Sequence, residues 1–382
     1  MSRYLIVTWD GAGNLVPTLA ITRGLVRAGH DVRVLGHETA GDLVAATGAR
    51  FVPFTQRAGW NETDTPDDFE AEVQLLIHEL CFSLLLAQDT AAELEREPVD
   101  AVLVDCMLFT AVNAAQASKT PTATLFHLAY AIFRGGPLVE MFAPGIAISN
   151  VHRADLGLDP ITQLGDTHDA CELALVAVPD EFEPGHPDAP NVLRIGPTLD
   201  APPLMGRCDA VDLSDDGRPL VLVSLSTSEQ GQADLLQRCA DAVAALPVRA
   251  VVTTGPSIDP ASVTVGANTQ VVTYAPHVDL LPSTALVITH AGLGTTMAAL
   301  GSGVPMVCVP MGRDQFFNAE QVQRLGAGQM LAPDADSGAI ATATRDVLEK
   351  AAYRAAAERM ATTIASYGGT VDAVRALERI VC

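Results

Sequence analysis

One run of residues in this chain has the composition of an anion site. His290-Ala291-Gly292-Leu293-Gly294-Thr295-Thr296 is followed by Gly303-Val304-Pro305, Pro310, Asp314-Gln315 and Asn318-Ala319. Ala285 to Thr289, just before it, is a short apolar strand. The glycines allow the backbone to turn tightly and a ligand to approach it closely. Thr295 and Thr296 open a helix whose free N–H groups and positive dipole end suit a diphosphate, and His290 can donate a hydrogen bond to the same anion. Val304 to Val309 is the next buried strand. Asp314 and Gln315 leave its C-terminal end, where open α/β sheets bind ligands. The run is neither a dinucleotide GxGxxG nor a P-loop, since no Gly-Lys-Ser/Thr follows. A glycine turn before a helix also arises for purely structural reasons, so the specificity lies in the whole string.

The elements that must position these groups follow from an alternation of apolar strands and helical stretches, the pattern of parallel α/β sheets. Arg3 to Thr8 reads as a strand, Leu15 to Ala28 as a helix stopped at Gly29, and Asp31 to Leu35 as the next strand. An acidic loop, Asn61 to Asp68, precedes one helix running through about Glu95. Strands follow at Ala101 to Val104, Thr122 to Phe126 and Leu173 to Val178, with a less regular region from Arg134 to Gly165. Gly196 to Pro219 is rich in proline and glycine and reads as a linker. The alternation restarts at Pro219 to Ser224 and continues with strands at Val248 to Thr253, Gln270 to Tyr274, Leu286 to Thr289 and Val304 to Val309. A last helix, Thr370 to Val381, carries apolar residues at helical spacing. Asp334-Ala335-Asp336 lies just before a helix and reads as its cap rather than as a cation site.

Composition sets the outer bounds. With 382 residues, 48% of them hydrophobic and 18% charged, two ordered domains are expected. A net charge of −23 argues against a nucleic-acid partner, whose phosphates it would repel. It leaves room for a small anion held by local groups. The seven cysteines (81, 106, 171, 208, 239, 308 and 382) are scattered without a CxxC pair and read as free thiols of a reducing compartment. No secretory signal region and no uncharged membrane-spanning stretch is read, so the expectation is a soluble, cytoplasmic protein without membrane insertion.

The whole string from His290 to Ala319 resembles the nucleotide-sugar signature of the family 1 glycosyltransferases, and the resemblance extends over most of the chain. It is similar above all to the bacterial branch that tailors antibiotics and other natural products. The resemblance implies the GT-B fold, an α/β arrangement of two Rossmann-like domains facing across a cleft. Residues 1–200 would form the acceptor domain, 201–218 the linker and 219–382 the donor domain. The last helix, about 368–382, would return to the first domain. The implied donor residues are Ser226 and Thr227 near the phosphates, Tyr274, His277 and Val278 at the base, and His290, Gly292, Gly294 and Thr295 at the diphosphate. Asp314 and Gln315 would hold the sugar hydroxyls. Many uridine-nucleotide members have Glu-Ala-Leu where this chain has Ala298-Ala299-Leu300. Alanine cannot bind the ribose hydroxyls, so a dTDP-sugar is the favoured co-substrate. No cofactor and no metal ion is implied.

The acceptor half departs from the resembled pattern. Trp9-Asp10-Gly11-Ala12-Gly13-Asn14-Leu15-Val16-Pro17 matches the family's first strand-to-helix loop, but Asn14 stands where the family usually has the histidine that removes the acceptor's proton. Asp105, ending the strand Ala101 to Val104, matches the aspartate that orients that histidine. An amide has no useful proton affinity. Asp105 is therefore the first candidate for the base, with Asn14 positioning the acceptor. His127 and Asp10 are alternatives, and an acceptor needing no strong base is a third option. Phe69, Phe82, Phe109, Tyr130 and Phe142 are candidates to line a pocket for a lipophilic small molecule. The expected reaction is direct, inverting displacement at the anomeric carbon. Two alternatives stay open, a catalytically impaired sugar-nucleotide-binding auxiliary protein and a GT-B nucleotide-sugar epimerase. A homodimer is the assembly kept open.

Overall fold

A computed structural model describes residues 1–11, 13–55, 69–185, 187–200, 209–213, 216–226 and 230–381. The chain divides into two compact units, Met1–Leu204 with Tyr367–Cys382, and Met205–Ser366. In the first, the strands are β1 (Arg3–Val7), β2 (Asp31–Gly36), β3 (Arg50–Pro53), β4 (Ala101–Asp105), β5 (Thr122–Phe126), β6 (Leu173–Val176) and β7 (Val192–Arg194). They form one sheet in the order β3-β2-β1-β4-β5-β6-β7, with every neighbouring pair parallel. The central strands are nearly continuous apolar runs because helices cover both faces. All five residues of β4 and of β5 are buried.

The helix Thr370–Ile380 belongs to this first unit and adds Ala373, Ala376 and Leu377 to its core, beside Leu15, Leu19 and Leu25 of the helix Leu15–Arg27. Its buried positions fall three, three and one residue apart, one stripe of a helix.

The second unit repeats the plan with β8 (Leu220–Ser224), β9 (Arg249–Thr253), β10 (Thr269–Val272), β11 (Thr284–Thr289), β12 (Met306–Cys308) and β13 (Gly328–Met330). Their order is β10-β9-β8-β11-β12-β13, again all parallel. The core gathers Val221, Val223, Leu236, Val252, Ile288, Val307 and Ile340.

Three local features differ from the sequence expectation. The single helix expected before Glu95 is broken into Phe69–Leu75, a π-helical stretch Leu76–Cys81 and Leu84–Arg96. The run Ala71–Arg96 is long and apolar enough to cross a membrane, yet half of its most apolar window is buried in the protein. Within it, buried Glu93 pairs at 2.8 Å with the fully buried Arg33 of β2, which reads as a core helix. The irregular region after Arg134 contains two helices, Pro137–Phe142 and Pro144–Asp155, each with proline in its first turn. Proline fits there because that N–H has no helical partner in any case. The acidic loop Asn61 to Asp68 lies outside the described residues.

The aromatic residues expected to line an acceptor pocket are core. Phe82 and Phe109 stack with ring centroids 4.8 Å apart and planes 5° from parallel. Phe109, Phe126 and Phe133 surround the fully buried His168, with centroids at 5.3, 4.8 and 5.5 Å. Tyr130 is buried as well, its hydroxyl engaged by Arg134 and Asp169. Phe142 is buried too. These side chains present almost no surface to a ligand, so the lining role assigned to Phe82, Phe109, Tyr130 and Phe142 is corrected to packing. The side chain of Phe69 lies outside the described residues.

Burial pulls the His168 imidazole down to about 3 from its ordinary 6.5, so it stays neutral in the folded state. An unfolded chain takes up that proton near pH 6.5, whereas the folded one resists until about pH 3. The stability is therefore complete above pH 6.5 and is lost as pH falls towards 3. Urea unfolding at pH about 5 should show His168 alone removing about 2 kcal/mol relative to neutral pH. His168→Leu should flatten that slope, and an unchanged slope would contradict the assignment.

Candidate active site

The polar groups of the second unit collect where its strands end. The order β10-β9-β8-β11-β12-β13 reverses direction at β8 and β11, the topological switch point at which such sheets bind ligands. Directly after β11, His290 leads into Ala291, whose φ of +66° is the left-handed conformation that non-glycine residues avoid. This backbone is held in place from two sides. The Ala291 N–H donates to Thr289 Oγ1 at 3.2 Å, and its carbonyl accepts from Asn318 Nδ2 at 3.0 Å. The tight turn thus rests on Ala291 rather than on the glycines expected to make it.

Gly292, with φ −58°, is the N-cap of the helix Leu293–Gly301. A Cβ on it would come within 2.6 Å of His290 Nε2, so its hydrogen keeps the imidazole in place. No side chain among the described residues caps this helix. The Thr296 N–H is bound to the Gly292 carbonyl at 3.0 Å, which leaves the N–H groups of Leu293, Gly294 and Thr295 for a ligand. Gly294 is exposed, and a Cβ there would meet nothing within 4 Å. Beside this opening, the buried His290 Nδ1 has no hydrogen-bond partner among the described residues. Burial, with the charge of Arg313, pulls this imidazole down to about 4, so it is neutral and keeps one N–H to donate.

After β12, Gln315 is buried. Its Oε1 accepts from the Met311 and Gly312 N–H groups at 2.8 and 3.2 Å. Its Nε2 donates to Gln230 Oε1 at 2.7 Å, and Gln230 Nε2 donates to Ser226 Oγ at 2.6 Å. This chain joins the loop after β8 to the loop after β12. Asp314 accepts from Asn318 Nδ2 at 2.8 Å, so Asn318 grips both the Ala291 turn and the aspartate of the Asp-Gln pair. Thr295 is half-buried in the first helical turn. Tyr274 is half-buried, with its N–H and carbonyl both bound to Asp209. His277 Nε2 lies 3.1 Å from Ser224 Oγ, its imidazole pulled down to about 4 by burial, and Val278 is exposed. Thr227 lies outside the described residues. Sequence reasoning assigned no role to Gln230 or Asn318. Asn318 stood inside the motif, whereas Gln230 lies 85 positions from Gln315 with no local pattern to link them.

The first unit has its own switch point between β1 and β4, and there Asn14, Asp105 and His127 meet. Asp105 is 2% exposed. Its Oδ1 accepts from the Met107 N–H at 2.9 Å, while its Oδ2 lies 3.2 Å from Asn14 Nδ2 and 3.0 Å from His127 Nδ1. Asn14, 1% exposed, also bonds the Trp9 carbonyl at 2.9 Å and Thr8 Oγ1 at 3.3 Å through Nδ2, and accepts from the Gly11 N–H at 3.1 Å. The amide is turned inward and is not placed to hold an acceptor. Asp10 lies in the same loop as Asn14, where its N–H donates to His37 Nδ1 at 3.2 Å. Cys106 Sγ is 3.8 Å from His127 Nδ1. Asp105, Cys106 and His127 thus bring three metal-ligating atom types within 4.8 Å. Burial, then the Asp105 charge, pushes the Cys106 thiol well above its ordinary value, so it stays protonated. Asp336 is the N-cap of the helix Ser337–Glu349 and accepts from the Ala339 N–H at 2.7 Å, as expected of a capping aspartate.

Comparison with known proteins meets this geometry at both scales. Residues 237–380 match the family model of the erythromycin biosynthesis protein CIII-like C-terminal domain. The 4'-demethylrebeccamycin synthase of Lentzea aerocolonigenes is 26% identical over the full length of both chains. NDP-glycosyltransferase YjiC of Bacillus licheniformis is 30% identical over 177 residues, 46% of this chain and 44% of that one. The match thus spans about half the length of such relatives. The glycotransferase of kitacinnamycin superposes with a TM-score of 0.81 at 24% identity, covering 100% of this chain and 99% of the other. VinC, solved in complex with dTDP, gives 0.75 at 19%, covering 99% of each. The fold is GT-B. The resemblance to natural-product glycosyltransferases runs through the whole chain.

Removing the Asn318 amide takes away the donor to the Ala291 carbonyl and one donor to the Asp314 carboxylate. Asn318→Ala should destabilise the protein by about 1–3 kcal/mol in urea unfolding. An unchanged stability would remove Asn318 from this role.

Proposed function

We propose that this chain is an inverting, metal-independent glycosyltransferase that moves a sugar from a dTDP-sugar to a lipophilic small molecule. The observation that carries the reading is the uncapped helix at Leu293, with Gly294 open in front of it and the unpartnered His290 nitrogen beside it. Helix N-terminal N–H groups and a neutral imidazole donor are what a departing diphosphate needs. On this reading Ser226 serves the phosphates, while the buried Gln315, joined to it through Gln230, ties the two loops together.

Thymidine as the base is supported by Ala298, a half-buried position on the same helix that offers the ribose no hydrogen bond. The dTDP complex of VinC, a protein of the same fold, points the same way. The acceptor class rests on the full-length similarity to 4'-demethylrebeccamycin synthase. In the reaction the acceptor oxygen attacks the anomeric carbon and loses its proton. The bond from that carbon to the diphosphate breaks, and dTDP leaves with the electron pair. Leaving-group charge then falls on the helix end and His290, while Asp336 is occupied as a helix cap. The same reading makes the protein a cytoplasmic enzyme.

Gly294→Val tests the donor site, because a Cβ there meets nothing within 4 Å among the described residues and the added methyls fill the space before the helix. The expected result is an unchanged melting temperature with at least about tenfold weaker dTDP binding in calorimetry. In the unsubstituted protein dTDP should bind more tightly than UDP, and an α-linked dTDP-sugar should give a β-glycoside by NMR. Tighter UDP binding, or retention of configuration, would overturn the reading.

A further inference from the structure

We propose that His127 is the group that takes the acceptor's proton, with Asp105 orienting it and Asn14 fixing Asp105; this rests on the glycosyl transfer proposed above. Three donors engage the Asp105 carboxylate from within the protein, the Met107 N–H at 2.9 Å, Asn14 Nδ2 at 3.2 Å and His127 Nδ1 at 3.0 Å. At 2% exposure it has no face left for an acceptor hydroxyl, so it cannot itself be the base. His127 follows β5, the neighbour of β4, and turns its Nδ1 towards the carboxylate. A carboxylate accepting from Nδ1–H fixes the tautomer and leaves Nε2 as the bare, basic nitrogen. Nε2 makes no hydrogen bond among the described residues and is not among the buried unpartnered atoms, so on a side chain 7% exposed it keeps some accessible surface. The Trp9 ring meets the imidazole edge-on at 6.2 Å and limits its rotation.

Asn14 then acquires a positive reason. A histidine at this position would compete with His127 for one carboxylate. The amide instead donates to Asp105 at every pH and binds the loop through the Trp9 carbonyl and the Gly11 N–H. The pairing of imidazole with carboxylate is kept, and the imidazole comes from the strand on the other side of Asp105. In the step, His127 Nε2 accepts the proton as the acceptor oxygen bonds to the anomeric carbon and dTDP departs. The Asp105 carboxylate stabilises the imidazolium, which later gives its proton to solvent.

The discriminating variant is His127→Asn, whose amide can still donate to Asp105 but has no basic nitrogen. Turnover would be measured with dTDP-glucose and two probe acceptors, a secondary steroid alcohol and 4-nitrophenol. General-base catalysis contributes roughly 10²–10⁴-fold where the hydroxyl is poorly acidic. The variant should therefore lose at least about 100-fold in kcat/KM with the alcohol and far less with the phenol, at unchanged dTDP affinity. Imidazole should restore part of the alcohol activity in His127→Ala. Equal losses on both acceptors, or none, would overturn the assignment. A readout independent of turnover is the ring ¹⁵N spectrum of His127, which should show Nδ1 protonated and Nε2 bare. The opposite tautomer would refute the pairing even if no probe acceptor reacts, whereas the expected tautomer without turnover would count against glycosyl transfer alone.

Discussion

Both sheets are parallel throughout, and that constraint decides where chemistry can sit. A parallel strand must be followed by a crossover, so all the loops after the strands gather at one edge. Where the strand order reverses, two neighbouring loops diverge and leave room between them. In the first unit this happens at β1 and β4, which brings Asn14 and Asp105 together, with His127 one strand further. In the second it happens at β8 and β11, the strands that carry Ser226 and His290. Buried apolar strands thus supply rigid supports, and each polar group is carried by a short loop held by hydrogen bonds to its neighbours.

Those hydrogen bonds divide the candidate residues into two kinds. Asn14, Asp105, Gln315 and Asn318 are buried and engaged by donors or acceptors of the protein itself. They hold backbone and side chains in position. His290 Nδ1 and the first helical N–H groups at Leu293 have polar capacity with nothing among the described residues to meet it. A buried donor without a partner costs free energy, on the order of 1–3 kcal/mol, which an anion at that place would remove. The left-handed Ala291 adds a smaller strain, offset by Thr289 and Asn318. These unmet groups fit the proposed ligand site and cost the free protein stability.

Much of the fold was legible because long apolar runs alternating with helical periodicity leave little choice of architecture. The alternation does not single out β3, β7 or β13, three- and four-residue strands at sheet edges, where half-burial weakens the pattern. The region after Arg134 reads as less regular, yet it holds two helices that start with proline in the first turn. In the donor motif the spacing located the turn and the helix, but not that Ala291 would take the strained conformation. The aromatic residues assigned to a pocket were misread because hydrophobicity alone does not separate a lining residue from a core one. The relation of His127 to Asp105 depends on two strands lying side by side, which no local pattern encodes. Gln230 was out of reach for the same reason.

The central claim is that the open end of the helix at Leu293 receives a nucleoside diphosphate. The most direct measurement is a backbone amide NMR titration with dTDP. The amides of Leu293, Gly294 and Thr295, with the ring nitrogens of His290, should show the largest shifts and saturate together. Saturable dTDP binding that left these amides unmoved, or no binding at millimolar dTDP, would contradict the account.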